Sequence, residues 1–509
     1  MEPLPGLSKE AWQTAKLIEG FTSQYLLARY DEPAPIPFVH LEMWALFMSD
    51  YKLVSAAAPR EHAKSTAITF ALVLFLVCFR MTRHMLLIGS NEKLASQFLI
   101  DIAYEVNENE ELRNDFGIDR FQKETETELI LRFRDGTATR LIAKGAQQRM
   151  RGIKWHNKRP DHVFFDDMED DEMVLNEQTR DKFLDWMQSA VIPAGSKNAR
   201  VRGVGTIIGF GSFLEGTMPD PKDPDTVVEP LRIYSKKRTP GDWVSVKYKA
   251  HPGIGDFSEL LWGEQFNEQW FLDKRASFQR TGKLDKYAQE YLNDPIDPDT
   301  AYYRKSDLLP MKPGDHETKK TYYASADLAI GEKERNAYSV LIVGGVDAEG
   351  MLHIVDVRRD RWDGLEIIDE MISVQERWAP EVFKLESENI AKSLGSILNR
   401  EMSDRSVWIN IDDESPTKDK DKRGRAMQAR TRAGKVKFDK EADWWPDLEE
   451  ELIRYPKYQY KDQFDALAWL GLIVDDMINP MTDEEQEEED YEEQVFLHMP
   501  KGICATTGY

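Results

Sequence analysis

The chain has 509 residues, which is more than one ordinary hydrophobic core supports, so we expect about two to four domains. Its hydrophobic fraction of 41% and charged fraction of 31% are those of a soluble globular protein, and its two cysteines exclude a disulfide framework or a four-cysteine zinc site. The net charge of −24 disfavours a nucleic-acid partner without excluding one, because acidic residues concentrate at 482–493 and basic residues at 149–159 and 418–425.

No membrane attachment is expected. The longest apolar run, 67–79, is shorter than the ~20 residues that cross a bilayer, so it predicts a buried helix. The N-terminal residues MEPLPGLSKE lack the basic and apolar regions of a secretory signal. With so little cysteine, the sequence indicates a reducing, intracellular compartment.

The first half of the chain alternates short apolar runs with helical stretches. This rhythm predicts an α/β domain with a mainly parallel sheet covered by helices on both faces. The strand-like runs are LVSAAA (53–58), HMLLIGS (84–90), HVFFDD (162–167) and VRGVGTIIG (201–209).

The segment after the first of these runs reads as a degenerate phosphate loop. Against the pattern G-x-x-x-x-G-K-[ST], residues 58–66 keep Lys64 and Ser65 but carry alanine at both glycine positions. Backbone N–H groups of Ala63 and Thr66 at the start of a helix favour phosphate binding, Lys64 would neutralise the terminal phosphates, and Ser65 would bind Mg²⁺. The alternative is an ordinary strand, turn and helix.

Carboxylates end the run HVFFDD, where a nucleotide motor needs one acid for Mg²⁺ and one for water. We assign Asp166 to the metal and leave the catalytic base open between Asp167 and Glu169. The alternative is a solvated acidic loop, but charges at the end of an apolar strand need partners because burying an unpaired carboxylate is costly. Arg60, inside the loop, or Arg151, from a neighbouring subunit, would contact the γ-phosphate.

Two further segments add to this predicted ATPase site. Gly205 and Thr206 follow an apolar strand and would sense the γ-phosphate, although a plain strand end reads nearly as well. The segment PIPFVHLEMW, 35–44, supplies aromatic rings that would stack on adenine or else belong to the core.

The second half follows the Pro- and Asp-rich stretch 293–300 and has a different order of elements. Three strands, 321–330, 338–346 and 352–359, precede alternating helices and strands, including a predicted strand at VWINI (407–411). Three antiparallel strands followed by alternating elements match a ribonuclease-H-like fold with a mixed sheet.

Acidic residues fall near the ends of these elements. Asp327 ends the first strand and Glu386 lies on the fourth. Asp465 opens the helix FDALAWLGLI, and Asp462 lies just before it. Converging carboxylates bind the two ions, Mg²⁺ or Mn²⁺, that hydrolyse phosphodiesters. The alternatives are helix capping for Asp462 and Asp465 and replacement of Glu386 by Glu388, which shares its strand face.

Taken together, the motifs resemble those of the large terminase subunit of tailed bacteriophages. The matching segments run in order over about 35–477 and are PFVHLEMW, APREHAKST, MRGIKWHNKRPDHVFFDDMEDDE, VGTIIG, EYLNDP, SADLAI, VFKLESE, KDKRGRAMQARTRAGKVKF and YKDQFDALAW. The family's commoner Asp-Glu pair is replaced here by Asp166-Asp167.

The resemblance implies an ASCE-type P-loop ATPase that drives double-stranded DNA into a procapsid and a nuclease that cuts concatemeric DNA. It implies a homo-oligomeric ring that works with portal protein and small terminase subunit in the cytoplasm of a bacterial host, transiently docked on the procapsid. The predicted boundaries are 1–293 for the ATPase domain, 294–317 for a linker, 318–478 for the nuclease domain and 479–509 for an acidic tail expected to be disordered. Basic residues at 418–432 are predicted to contact DNA phosphates or else to form a solvated helix face.

Overall fold

The computed structural model describes residues 2–30, 32–239, 241–296, 301–329, 338–386, 395–414, 420–456, 458 and 460–478. The chain divides into two compact units, Met1–Thr300 and Ala301–Tyr509, which are taken separately below. The division falls inside the predicted linker, and the other predicted boundaries stay predictions. The predicted acidic tail lies outside the described residues.

The helices of the first unit surround one large sheet. They are α1 (Lys9–Phe21), α2 (Phe38–Met48), α3 (Val73–Cys78, preceded without a break by the π-helical turn Thr66–Leu72), α4 (Glu92–Glu108), α5 (Glu110–Asp115), α6 (Asp171–Leu175), α7 (Glu177–Trp186), α8 (Phe213–Gly216), α9 (Glu268–Arg280) and α10 (Leu284–Leu292). Short π- or 3₁₀-helical turns occur at Thr22–Leu26, Leu27–Arg29, Met187–Val191 and Ile192–Ala194.

The strands of the first unit form a ten-stranded sheet in the order β3-β4-β5-β2-β6-β7-β1-β10-β9-β8. They are β1 (Leu53–Ala57), β2 (His84–Gly89), β3 (Ile118–Thr125), β4 (Glu128–Phe133), β5 (Ala138–Gly145), β6 (His162–Asp166), β7 (Arg200–Gly205), β8 (Thr226–Val228), β9 (Arg232–Ser235) and β10 (Trp243–Tyr248). The six central strands from β5 to β10 are parallel, which confirms the prediction for the middle of the sheet. Antiparallel strands at both edges make the whole sheet mixed.

The register of the central strands fixes the position of the phosphate loop. β7 lies between β1 and β6, with Ala57 opposite Gly205 and Asp166 opposite Val204. All three strands therefore end at the same edge, where ligands bind in open parallel sheets. The apolar run 67–79 that follows the loop is helical and mostly buried as predicted, and no helix among the described residues is long and apolar enough to cross a bilayer.

The second unit is built on a seven-stranded mixed sheet, in the order β11-β17-β14-β13-β12-β15-β16. Its strands are β11 (Leu309–Pro310), β12 (Thr321–Asp327), β13 (Ser339–Val346), β14 (Leu352–Asp360), β15 (Phe383–Glu386), β16 (Ile411–Glu414) and β17 (Val436–Phe438). Its helices are α11 (Pro313–Glu317), α12 (Gly364–Trp378), α13 (Gly395–Arg405), α14 (Lys420–Arg432), α15 (Trp445–Arg454) and α16 (Asp462–Ile478).

The topology of this unit confirms the predicted mixed sheet. β12, β13 and β14 are antiparallel neighbours, whereas β15 and β16 continue the sheet in parallel from β12. The predicted strand at 407–411 is wrong, since the strand begins only at Ile411. The residues before it form the turn out of α13, in which Ser406 has a φ of 54° and Val407 N–H donates to Met402.

Candidate active sites

The loop between β1 and α3 has the shape of a phosphate loop although it lacks glycine. Glu61 and Ala63 adopt φ values of 63° and 52°, the left-handed region that glycine normally occupies at low cost. Hydrogen bonds from two histidines, one in the loop and one in α2, hold this conformation. His62 Nδ1 donates to the Arg60 carbonyl at 2.8 Å, and His40 Nε2 donates to the His62 carbonyl at 2.8 Å.

The two histidines that brace the loop are neutral. Both are buried, and burial lowers the pKa of His40 and of His62 to about 4. His62 packs against the ring of Phe266, with 5.0 Å between ring centroids. A proton on either imidazole would be buried without a counter-charge, so the loop conformation favours the unprotonated form.

Lys64, which directly follows Ala63, is mostly buried. It contacts the residue that follows β6, the strand separated from β1 by β7. Its Nζ lies 3.1 Å from Oδ2 of Asp167, whose Oδ1 accepts the backbone N–H of Thr206 at 2.9 Å. Thr206 Oγ1 in turn donates to the carbonyl of Ala58 at 3.2 Å. The phosphate loop, the end of β6 and the end of β7 are therefore joined in one chain of polar contacts.

Asp166 has the features of a metal ligand. It is 3% exposed, and its Oδ2 accepts a hydrogen bond from Thr69 at 2.6 Å. Its Oδ1 is buried and has no hydrogen-bond partner among the described residues. Burial, reinforced by the charge of Asp167, raises the pKa of Asp166 to about 6, against the opposing effects of Lys64, Thr69 and Ser65.

The donor set around Asp166 fits Mg²⁺. A buried carboxylate oxygen without a partner is costly, and a hard cation would remove that cost. Ser65 is among the side chains that lower the pKa of the same carboxylate, so the predicted pair of ligands lies together.

The two acids left open as catalytic base have different surroundings. Asp167 is half exposed and contacts Lys64, as described above. Glu169 instead accepts the N–H groups of Phe213 at 2.6 Å and Leu214 at 3.0 Å, so it caps the start of α8. Burial raises the pKa of Glu169 to about 7. Asp167 therefore contacts the lysine of the phosphate loop, whereas Glu169 holds the start of α8.

The two predicted arginines are also placed differently. Arg60 lies in the loop but pairs with Glu290, with Nη1 3.2 Å from Oε1, and its backbone N–H donates to the Glu290 carbonyl. Arg151 is exposed in a turn, and no acidic partner is found for it among the described residues. Arg151 is therefore the more available of the two.

A cavity of about 640 Å³ adjoins the loop at Ala63, Ser65 and Thr66. The predicted segment 35–44 contributes to its wall, but Phe38 does not, because it stacks on Trp12. Sequence reasoning missed most of the cavity's aromatic residues. They are Tyr30, Phe70, Phe98, Tyr104 and Trp262. Of these residues, only Phe70 could have been found from the sequence, since it lies one helical turn after Thr66.

In the second unit the predicted carboxylates belong to elements that meet at one edge of the sheet. Ala326 of β12 is opposite Leu385 of the parallel strand β15, so Asp327 and Glu386 both follow at the strand ends. Ser325 Oγ donates to the carbonyl of Ala466 at 2.7 Å, which places the start of α16 against the end of β12.

The metal ligands of this second site stay a prediction. The side chain of Glu386 and the whole of Glu388 lie outside the described residues. Among the side chains that are described, no three of His, Cys, Asp or Glu are grouped so that they could hold a metal ion.

The start of α16 differs from its prediction in one respect. The helix begins at Asp462, so Asp465 lies inside its first turn and its N–H donates to the carbonyl of Lys461 at 2.9 Å. The carboxylate that caps this helix is Glu451, which accepts the N–H of Phe464 at 2.7 Å. Asp465 is buried without being the cap, which weakens the capping alternative for it.

The basic stretch after 418 forms α14, and part of its charge is used within the unit. Arg430 donates to the carbonyl of Gly350 at 2.8 Å, and Arg432 donates to that of Tyr302 at 3.3 Å. These two guanidinium groups hold backbone carbonyls of their own unit, and the contact of the basic stretch with DNA stays a prediction. Arg425 is exposed, and Lys418 lies outside the described residues.

Comparisons with known proteins give structural matches only. No protein-family model matches the chain, and no curated protein matches its sequence. The HK97 bacteriophage large terminase matches with a TM-score of 0.43 and 13% identity, covering 90% of this chain and 99% of that one. The Thermus phage P74-26 large terminase ATPase domain matches with a TM-score of 0.35 and 16% identity, covering 50% and 92%. The large terminase nuclease of thermophilic phage G20c, solved with bound magnesium, matches with a TM-score of 0.24 and 14% identity, covering 32% and 91%.

These matches are to bacteriophage large terminases, the family whose motifs the sequence resembles. At such identities and scores the likeness concerns only the course of the chain.

Proposed function

We propose that the first unit hydrolyses ATP. The observation that carries this proposal is the group formed by Lys64, Asp167 and Thr206 beside the buried, half-satisfied carboxylate of Asp166. A purely structural ion pair has no use for a neighbouring acid with one unpaired oxygen, whereas such an oxygen suits a ligand of Mg²⁺. The cavity beside the loop has the aromatic lining that suits a nucleobase.

In this proposal each residue has one task. Backbone N–H groups from Ala63 to Thr66 and the ammonium of Lys64 hold the phosphates. Ser65 and Asp166 hold Mg²⁺, which supplies neutralisation of charge on the phosphate oxygens. Thr206 holds the carboxylate of Asp167 in place.

The contact between Lys64 and Asp167 implies a switch in partners. Phosphates compete for Lys64, and when they bind, the ammonium leaves Asp167. The freed carboxylate then orients the attacking water, while Thr206 keeps it in position. An arginine, Arg151 in preference to Arg60, stabilises the charge that develops on the γ-phosphate.

We propose that the second unit is a metal-dependent endodeoxyribonuclease. Asp327, Glu386, Asp462 and Asp465 are the ligand candidates for Mg²⁺ or Mn²⁺, and their elements meet at one edge of a ribonuclease-H-like sheet. Carboxylates at such an edge suit two-metal hydrolysis of a phosphodiester.

The two chemistries together are those of a terminase large subunit. In this role the chain moves double-stranded DNA into a procapsid and cuts the concatemer. It works as a homo-oligomeric ring with portal protein and small terminase subunit in the cytoplasm of a bacterial host.

ATP hydrolysis by the Lys64→Ala variant tests the first half of the proposal. The variant is expected to lose activity by about 100-fold or more, because the positive charge that faces the phosphates is removed. Lys93→Ala, at an exposed lysine at the start of α4, is the control and keeps wild-type activity. Unchanged hydrolysis by Lys64→Ala would refute the phosphate-loop assignment.

A DNA translocase or helicase without nuclease activity is the second candidate. It is favoured by the lack of a three-residue metal group among the described side chains of the second unit. Plasmid cleavage by the full chain with Mg²⁺ or Mn²⁺ decides between the two. Cleavage that Asp327→Ala abolishes excludes the second candidate, and an absence of cleavage supports it.

A further inference from the structure

A group of stacked arginine and tyrosine side chains lies at the sheet edge of the second unit. Tyr338 precedes β13, Arg359 and Arg361 lie at the end of β14, and Tyr460 precedes α16. These four residues are called the Arg–Tyr patch below. Arg361 is exposed and the other three are half-buried.

The four side chains hold one another in a fixed arrangement. The guanidinium of Arg359 lies 4.0 Å from the ring centroid of Tyr338 and 5.0 Å from that of Tyr460. Arg361 lies 4.8 Å from the Tyr338 ring. The two rings meet edge to face at 5.2 Å. Stacking on aromatic rings restricts the arginine rotamers before any ligand binds.

The adjacent arginine of β14 is held by ion pairs instead. Arg358 points to the opposite face and is paired with Asp356 at 3.1 Å and Glu370 at 2.8 Å. Arg359 has no such carboxylate contact, and its buried Nε has no hydrogen-bond partner among the described residues. A buried donor without an acceptor is costly, so an acceptor from a ligand would be favoured.

Arg359 opposes the rise that burial causes in the pKa of Glu451, so these two charges interact, but no ion pair joins Arg359 or Arg361 to an acid among the described residues. Glu450 pairs with Arg454 at 2.8 Å, and Glu451 caps α16 through Gln463 and Phe464. Asp360 accepts the backbone N–H of Arg361. The two guanidinium groups of the patch therefore keep N–H edges for an outside acceptor.

The register of the sheet places the patch beside the candidate nuclease carboxylates. Asp327 of β12 is opposite Val340 of β13, and Val340 is opposite Arg359 of β14. Tyr460 is two residues before Asp462. The patch and the candidate carboxylates thus lie at the same edge of one sheet.

We propose that the Arg–Tyr patch binds the phosphodiester backbone of the DNA that the second unit cuts; this rests on the nuclease function proposed above. Arg359 and Arg361 present bidentate N–H groups to phosphate oxygens, and Tyr338 and Tyr460 hold them in place. Arg359 is close enough in the sheet to position a phosphate for Asp327 without touching the reacting bond itself.

The stacking geometry selects phosphates over bases as the ligand. A base-stacking platform needs open aromatic faces. Here guanidinium groups lie against Tyr338 and Tyr460, so the patch offers hydrogen-bond donors and positive charge. Contacts of this kind are independent of DNA sequence and weaken steeply with salt.

Binding of a labelled DNA duplex to the full chain, followed by fluorescence anisotropy without nucleotide and without divalent metal, tests the patch. In Arg359→Gln/Arg361→Gln, affinity at about 0.1 M salt should fall by about tenfold or more, and the slope of log affinity against log salt should become shallower by about 1.8, or 0.9 per lost phosphate contact. The charge-preserving variant Arg359→Lys/Arg361→Lys should keep the slope but bind several-fold more weakly, since lysine cannot form the stacked fork.

The matched control removes two arginines from elsewhere in the same unit. Arg377 also stacks on an aromatic ring, that of Trp378, whose ring packs against Tyr322 near the opposite end of β12. Arg400 is exposed on α13. Arg377→Gln/Arg400→Gln should bind DNA with nearly wild-type affinity and slope.

Several outcomes overturn the proposal. Unchanged binding by the patch variant refutes it, and so does an equal loss in patch and control variants, which would reflect net charge alone. Wild-type affinity in the lysine variant would refute the stacked clamp. Should the glutamine variant melt at a lower temperature than wild type, the lysine variant decides. Because anisotropy requires neither hydrolysis nor cleavage, failure of the nuclease assignment would appear separately as absent plasmid cleavage.

Discussion

The phosphate loop of the first unit and the carboxylate edge of the second are built in different ways. Lys64 and Ser65 lie in one turn of backbone. Asp167 and Asp166, with which they interact, lie at the end of β6, and Thr206 follows the adjacent strand β7. At the second site the candidate acids come from three elements far apart in sequence, β12, β15 and the start of α16. The sheet register and the packing of α16 on the sheet, which includes the hydrogen bond between Ser325 and Ala466, bring those elements together.

The difference shows which kind of site can organise itself before its ligand binds. At the phosphate loop, Lys64 compensates Asp167, and among the described residues a single oxygen of Asp166 is left without a hydrogen-bond partner. A set composed only of carboxylates has no internal counter-charge and depends on cations. Single substitutions at the two sites can test this difference.

The largest effect is expected at the base of the ATPase site. Asp167→Asn should lower kcat for ATP hydrolysis by about 100-fold, because the amide cannot accept a proton or compensate Lys64. Glu169→Gln should leave kcat within a few-fold and lower the unfolding free energy by about 1 kcal/mol, since Glu169 caps α8. Steady-state kinetics and denaturant unfolding of both variants supply the test.

The reverse pattern would contradict this division of roles. If Glu169→Gln lost hydrolysis while Asp167→Asn retained it, Glu169 would be the base. The contact between Lys64 and Asp167 would then be structural.

Much of this first site could be predicted from the sequence, and the reason is local. Lys64, Ser65 and Asp166 follow apolar strands in a known order, and parallel strands must end at one edge. The choice between Asp167 and Glu169 could not be made, because it depends on α8, which packs against Glu169 from more than 40 residues away. The pairing of Arg60 with Glu290 and the contribution of Trp262 to the cavity are equally long-range.

A smaller effect is expected from the buried histidine of the loop. The pKa of His62 is about 4 in the fold against an ordinary 6.5, so its stabilising effect is present above pH 6.5 and is lost as the pH falls towards 4. The unfolding free energy of wild type should fall between pH 7 and pH 5. Over the same interval, that of His62→Gln should fall by about 2 kcal/mol less. Denaturant unfolding at both pH values measures this.

Exposed His156 supplies the control for that experiment. His156→Gln should keep the wild-type dependence of stability on pH. If His62→Gln also kept it, the imidazole of His62 would not be the buried neutral group described above.

The smallest effect contrasts helical glycines in the two units. A Cβ on Gly424 of α14 would lie 2.4 Å from Cζ of Phe464, the residue before Asp465, so Gly424→Ala should destabilise the chain by about 1.5 kcal/mol and impair cleavage. Gly20→Ala in α1 meets nothing within 4 Å and should stabilise by about 1 kcal/mol. Thermal unfolding separates the two signs, and stabilisation by Gly424→Ala would mean that α14 and α16 are not closely packed.

The second site was less predictable because it depends on the meeting of distant elements. The three antiparallel strands followed by alternating elements gave the mixed sheet correctly, since strand periodicity is a local property. Composition could not show that Glu451 caps α16. It also could not show that Arg430 and Arg432 donate hydrogen bonds to backbone carbonyls. The predicted strand at 407–411 was wrong because the apolar residues before Ile411 belong to the turn that follows α13.

The central claim is that one chain carries two separate chemistries, and a crossed measurement on the full chain tests it most directly. ATP hydrolysis and Mn²⁺-dependent plasmid cleavage are measured on Lys64→Ala, Asp327→Ala and the exposed control Asp404→Ala. We expect Lys64→Ala to lose hydrolysis and retain cleavage without ATP, Asp327→Ala to lose cleavage and retain hydrolysis, and Asp404→Ala to keep both. Loss of both activities in either active-site variant, with the fold intact, would contradict two independent sites.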